Sequence, residues 1–149
     1  MMPQTTPNIR EHTEAVIAAL TTAVGKPVGD GEAPADGAYT DGWGRGVFVP
    51  YLVVVCDDVQ FSGPLGDTHA DATLMYRVLA VGKSREQAEW MSDKGRQNFN
   101  RTTLRAQGIP NRSIMGVIWT GRSPQPEMDR GVEPPLWYVR DTYTVMTTP

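Results

Sequence analysis

Hydrophobic spacing along this chain alternates between a helical repeat and strand-like runs, and the changes of period mark out its elements. Ile9, Thr13, Val16, Ile17, Leu20 and Val24 lie on one helical stripe and predict a first helix. Thr6 followed by Pro7 offers an N-cap with proline at the first helical position, where its missing amide proton costs nothing. Gly25, with Pro27 just beyond, supplies the stop. From Val47 to Cys56 the sequence is almost continuously apolar, the composition of a strand covered on both faces. Helices of the same chain are expected on one side of it and a neighbouring subunit on the other, with Pro50 at its start or on an edge. Asp57 to Ala70 contains Ser-Gly-Pro-Leu-Gly-Asp and reads as a turn-rich link. It leads to a second strand, from about Asp71 to Val81, which pairs antiparallel with the first.

After Gly82 the apolar spacing lengthens from two to about three and a half, so a strand feeds a helix. Ser84 stands three residues before Gln87, the spacing of a capping box. Ala88, Met91, Gly95 and Phe99 fall on one face, with Glu86, Glu89, Asp93, Lys94, Arg96 and Arg101 largely elsewhere. Gly95 weakens such a helix by roughly 1 kcal/mol relative to alanine, and the expected return is close approach to a neighbouring sheet. Gln107-Gly-Ile-Pro-Asn closes the helix, and Ile114 to Thr120 reads as a third strand. In the last strand Trp137, Val139, Asp141, Tyr143 and Val145 alternate with Tyr138, Arg140, Thr142, Thr144 and Met146. The order α-β-β-α-β-β predicts an α+β two-layer sandwich, a four-stranded mainly antiparallel sheet with two helices on one face. Two long stretches are left over. Residues 25–46, dense in glycine and carrying Asp30, Glu32, Asp36 and Asp41, read as a mobile loop. Residues 121–135, with Pro124, Pro126, Pro134 and Pro135, read as an extended excursion.

The length of 149 residues fits one domain, able to bury roughly two-thirds of its unfolded surface. A net charge of −3 and a pI near 5.3 give no general attraction to phosphate backbones, which counts against stable DNA binding. The single cysteine, Cys56, cannot form an internal disulfide and suits a reducing cytosol. With no long apolar run and no signal-peptide h-region, a soluble protein without a membrane partner is expected.

Chemistry has few footholds. Asp57-Asp58 ends an apolar strand, and His69 lies between Asp67 and Asp71, the best place for a metal ion or a general-base carboxylate. Asp-Thr-His-Ala-Asp matches no ligand spacing with a known mechanism, so a small metal-dependent enzyme using Asp57, Asp58 and His69 is the outlying alternative. His12 has no Cys or second His four residues on, and is expected at the surface or its boundary. Gly42-Trp-Gly-Arg-Gly46 neither follows a strand nor opens a helix, and no Lys-Ser/Thr pair follows it, so it reads as flexible loop rather than a phosphate cradle. Cys56 reads as a buried structural thiol, and no Gly-x-Ser-x-Gly elbow occurs. No catalytic residue, cofactor or metal ligand is assigned. Arg96, Arg101, Arg105 and Arg112 form a local basic excess, which serves as a solvated face favouring the helix C-terminus or as a docking patch for acidic protein or nucleic acid, protein ahead of DNA. Trp43, Trp119, Trp137 and Tyr138 belong to the core or anchor an interface. The interface candidates are Trp43, Arg45, Arg96, Arg101, Arg105, Trp137 and Tyr138, with Trp43 foremost because nothing in its own loop can bury it.

Four phrases, Pro50-Tyr-Leu-Val-Val, Tyr76-Arg-Val-Leu-Ala-Val-Gly, Ser84-Arg-Glu-Gln-Ala-Glu-Trp-Met and Tyr138-Val-Arg-Asp-Thr-Tyr-Thr-Val, follow one another in an order that resembles the tail terminator proteins of long-tailed bacteriophages. The resemblance runs over nearly all of Ile9 to Thr148. It implies a mixed α/β fold, a hexameric ring without catalysis, and a place in the virion at the head-proximal end of the tail, after assembly in the host cytoplasm. The partners it implies are copies of the same chain, the tail tube protein and the head-side connector or stopper, with genomic DNA passing through the lumen without specific binding. A neighbouring role, as head-tail connector, stopper or tail-tube protein, is the alternative within virion assembly. Independently of the resemblance, an acidic chain suits a channel that DNA must slip through, because like charge prevents sticking.

Overall fold

In the computed structural model, which describes residues 7–39, 43, 45–132 and 134–149, the first helical stripe becomes α1 (Ile9–Val24). Its cap is Asn8, whose side chain accepts from the Glu11 amide at 3.2 Å, so Pro7 precedes the cap and Thr6 lies outside the described residues. Gly25 ends the helix in the left-handed conformation, φ 66°, where glycine meets no Cβ penalty. Three short strands follow, β1 (Val28–Asp30), β2 (Ala38–Tyr39) and β3 (Phe48–Val49), and then two long ones, β4 (Tyr51–Ser62) and β5 (Asp71–Gly82). The remaining elements are α2 (Arg85–Asn98), α3 (Arg101–Gln107), β6 (Ser113–Arg122), β7 (Glu127–Asp129) and β8 (Leu136–Thr148).

This corrects the four-stranded, two-helix sandwich that the pattern predicts. Three helices accompany a mixed six-stranded sheet, ordered β1-β4-β5-β8-β6 with β7 also on β8, and a separate β2-β3 pair. β1, β2 and β7 lie where the sequence reads as loop, whereas β3 is the start of the predicted first strand, split from β4 at Pro50 and paired with β2 instead. β1 has a single large apolar residue and is held by parallel pairing with Leu52–Val54, including Gly31 N–H to Val54 O at 2.9 Å. β7 is equally short and pairs antiparallel with residues 136–138 of β8. The first part of the predicted link from Asp57 is strand: β4 continues through Ser62 past a bulge between Cys56 and Asp58, because the bulge absorbs one acidic residue and leaves the ladder intact beyond it. The single long helix is two, because Phe99 is extended and Asn100 opens α3 with a capping box to Thr103.

The helices cover one face of the sheet. Leu52, Val54, Leu74, Tyr76, Val78, Val139, Tyr143 and Val145 point there and pack with Val16, Leu20, Val24, Met91 and Leu104. On the other face Tyr51, Val53, Val81 and Leu136 form a second cluster with Phe48 of the β2-β3 hairpin, where Tyr39 meets Phe48 edge to face at 5.1 Å. The second cover expected of a neighbouring subunit is therefore the chain's own hairpin. Beyond it the face carries Thr73, Met75, Thr144 and Met146, all half-buried. No helix of the described residues is long and apolar enough to cross a membrane.

Ser84 caps α2 through the Gln87 amide at 3.2 Å. The return bond from the Gln87 side chain goes to Lys83 N at 2.8 Å, one residue earlier than a capping box requires. The close approach assigned to Gly95 belongs to Gly82: a Cβ there would lie 2.6 Å from Ala88 N, whereas one at Gly95 would meet its nearest neighbour, the Tyr143 hydroxyl, at 3.8 Å. Gly95→Ala should therefore raise stability by about 0.5–1 kcal/mol, and Gly82→Ala should lower it by about 1–3 kcal/mol, both read from urea midpoints.

His12, expected near the surface, is fully buried. Its Nδ1 lies 2.8 Å from Asn8 O and its Nε2 lies 2.8 Å from Thr147 Oγ1. A carbonyl only accepts, so Nδ1 carries the proton, and Nε2 accepts from the Thr147 hydroxyl, which itself accepts from Arg112 at 3.1 Å. Burial depresses the His12 pKa, reinforced by the nearby Arg112 cation. The unfolded chain then binds the proton that the folded one refuses, so stability falls as pH drops below about 6.5 and levels off beneath the depressed value. Denaturant titrations between neutral and mildly acidic pH should show this slope in the wild type and a shallower one in His12→Gln.

Candidate assembly surfaces

The seven interface candidates do not form one patch. Trp43 is 78% exposed beside Arg45 in the segment between β2 and β3, and the rest of Gly42-Trp-Gly-Arg-Gly46 falls partly outside the described residues. Trp137 and Tyr138 begin β8. Trp137 packs against the main core with the Arg85 guanidinium 5.4 Å above its ring, and Tyr138 donates to Glu127 Oε2 at 2.7 Å. That bond, with Arg140 2.9 Å from the same carboxylate, holds the Glu127 carboxyl below its ordinary pKa and raises the phenol. The Tyr138–Glu127–Arg140 bonds tie β7 to β8, and Trp137 and Tyr138 both remain half-buried. Arg101 and Arg105 stand on α3, where Arg105 also donates through Nε to Ile114 O at 3.2 Å.

Arg96 stands in the last turn of α2 and belongs to a different corner, a polar cluster that sequence reasoning missed. Asp141 sits at an inward position of β8 and is buried. It accepts from Ser92 Oγ at 2.6 Å and from Trp119 Nε1 at 3.0 Å. Burial raises its carboxyl pKa despite these two donors. Trp119 is held edge-on by this bond, with Arg96 5.6 Å over its ring and part of the indole in solvent. A shallow cleft of about 310 Å3 runs alongside, lined by Glu89, Asp93, Arg96, Trp119 and Arg122. Both arginines reach the Asp93 carboxylate, at 3.4 and 3.6 Å. The signal was present in the alternation of β8, which puts Asp141 on the same parity as Val139 and Tyr143.

The acidic group proposed for metal chemistry is dispersed. Asp57 faces Arg77 at 3.5 Å, Asp58 accepts from its neighbour's amide, Val59 N, at 2.9 Å, and His69 bonds Thr68 at 3.1 Å while its ring lies 5.5 Å from that of Phe61. Among the described residues no group of three or more His, Cys, Asp or Glu side chains is arranged to hold a metal ion. Cys56 is half-buried, and burial pushes its thiol pKa up, away from the thiolate a nucleophile needs.

What the geometry does offer is two sheet edges. Among the described residues no strand pairs with the outer side of β4 beyond Val54, and none with the outer side of β6. Phe61 and the fully exposed Leu65, 99%, stand at the first edge or its turn, and Met115, Ile118 and Trp119 at the second. Exposed apolar side chains grouped in this way mark interaction surfaces more often than isolated ones do. Ser92→Ala removes the shorter bond to a buried carboxylate and should cost about 1–3 kcal/mol at neutral pH. The loss should shrink in acid as Asp141 takes a proton, measured by urea unfolding across pH. In comparison with known proteins, the chain matches no family model and no curated protein.

Proposed function

We propose that the chain is a structural virion protein that closes into a ring, six copies by resemblance, at the head-proximal end of a long phage tail. There it stops growth of the tail tube and presents the surface that the head-side connector joins. The observation that carries this reading is the succession of terminator-like phrases from Pro50 to Val145. The arrangement of side chains supports it from a second direction. The buried polar groups His12, Ser92, Asp141 and Thr147 bond to one another or to the backbone, while Trp43, Leu65, Met115, Ile118 and Trp119 stand in solvent. Large apolar groups outside the core gain free energy only when a partner covers them.

In this role the ring body is made by the sheet and helices, and DNA crosses the lumen without base-specific contact. The expected acidity of the chain keeps the phosphate backbone from adhering. The deciding experiment is negative-stain imaging of tails assembled without the protein. Overlong tubes are expected; tails of normal length that fail to join heads would reassign it to the connector.

A further inference from the structure

β4 and β6 are three strand spacings apart in the sheet, so its two edges lie about 14 Å from each other. They carry opposite charge. Residues 57–71, which form the free half of β4, its turn and the first residue of β5, hold Asp57, Asp58, Asp67 and Asp71 and no lysine or arginine. Residues 101–122, which form α3 and β6, hold Arg101, Arg105, Arg112 and Arg122 and no carboxylate. Part of this charge is answered within the molecule. Arg112 bonds Thr147 and feels Asp71 and Asp67, Arg122 reaches Asp93, and Asp57 faces Arg77 at 3.5 Å, a pair it would share with an incoming arginine. Asp58 has no cation in salt-bridge range and Arg101 has no hydrogen bond or ion pair, both counted among the described residues.

We infer that the α3-β6 edge of one copy docks against the β4 edge of a second copy, with Arg101 and Arg105 facing Asp57 and Asp58 and with Met115, Ile118 and Trp119 meeting Phe61 and Leu65. The assignment rests on the ring reading above and names its subunit contact. Two like edges meeting about a two-fold axis would set acidic against acidic or basic against basic, which costs several kcal/mol. Among edge-to-edge pairings only the head-to-tail one is complementary, and that is the heterologous contact that generates a ring when its rotation closes. Bulges interrupt both edges, one in β4 and two in β6. A continuous ladder across the junction is therefore disfavoured, and the side chains make the contact.

The test uses the full chain in sedimentation velocity over a concentration series, at about 50 mM and about 500 mM salt. The wild type should associate, more strongly at low salt. Asp57→Arg with Asp58→Arg, and separately Arg101→Glu with Arg105→Glu, should each weaken association by about tenfold or more, with far-ultraviolet circular dichroism confirming the fold. Because Arg105 also bonds β6, Arg101→Glu alone serves as the milder basic-edge variant. Mixing the two reversed-edge proteins should restore association, since each then meets an oppositely charged edge. Wild-type association in either reversed-edge variant, failure of the mixture to restore it, or a wild type that stays monomeric at low salt overturns the edge assignment. The imaging of tails made without the protein is independent of all three results. Overlong tubes together with unaffected charge-reversed assembly would leave the ring standing and remove only this contact.

Discussion

Strand β8 carries polar side chains on its buried face, and much of the molecule is arranged to answer them. It pairs with β5 along one side and with β6 and β7 along the other, so its inward residues lie at the centre of the sheet. Two of them, Asp141 and Thr147, are buried, and leaving either without a partner would cost about 1–3 kcal/mol. Ser92 of α2 and Trp119 of β6 answer Asp141. His12 of α1 and Arg112, just before β6, answer Thr147. Apolar packing is non-directional and would tolerate sliding of a helix along the sheet. These bonds have direction, and they fix α1, α2 and β6 in one register against β8.

The long elements were readable because each has many residues of one period. α1 shows its stripe and its Gly25 stop, and β8 its strict alternation. The short ones were unreadable for a related reason. β1 and β7 have three residues apiece, too few to show a period, and their existence depends on the partner strand rather than on their own composition. The break between α2 and α3 was hidden because Phe99 continues the apolar stripe while its backbone leaves the helix. The cap at Asn100 was the available clue. At the surface, the tryptophan and arginine candidates were visible as residue types, but their pairing was not. Trp119 with Asp141, and Arg85 with Trp137, join residues 22 and 52 positions apart, a separation that no local pattern reports. His12 looked like a surface residue because its one distant partner, Thr147, is 135 positions away.

The β2-β3 hairpin changes where a partner can act. It closes over Tyr51, Val53, Val81 and Leu136, so the doubly apolar start of β4 is satisfied within the chain and gives no reason to invoke a neighbour. Part of the glycine-rich stretch thereby serves the fold itself. What is left for association lies chiefly at the borders of the sheet, where strand partners end and exposed apolar side chains begin.

At such borders charge and apolar contact divide the labour. Exposed ion pairs contribute about 0–1 kcal/mol each and are screened by salt, so four arginines and four aspartates cannot by themselves hold copies together. In the proposed contact they decide which edge meets which and speed the encounter, while Leu65 and the β6 side chains supply the area whose removal from water gives affinity. An edge pair of opposite sign on one small sheet is also inherently polar: every copy added leaves one acidic and one basic edge open. In the proposed ring, growth by that rule ends only by closure, and the angle between β4 and β6 that a twisted sheet sets would determine how many copies closure takes.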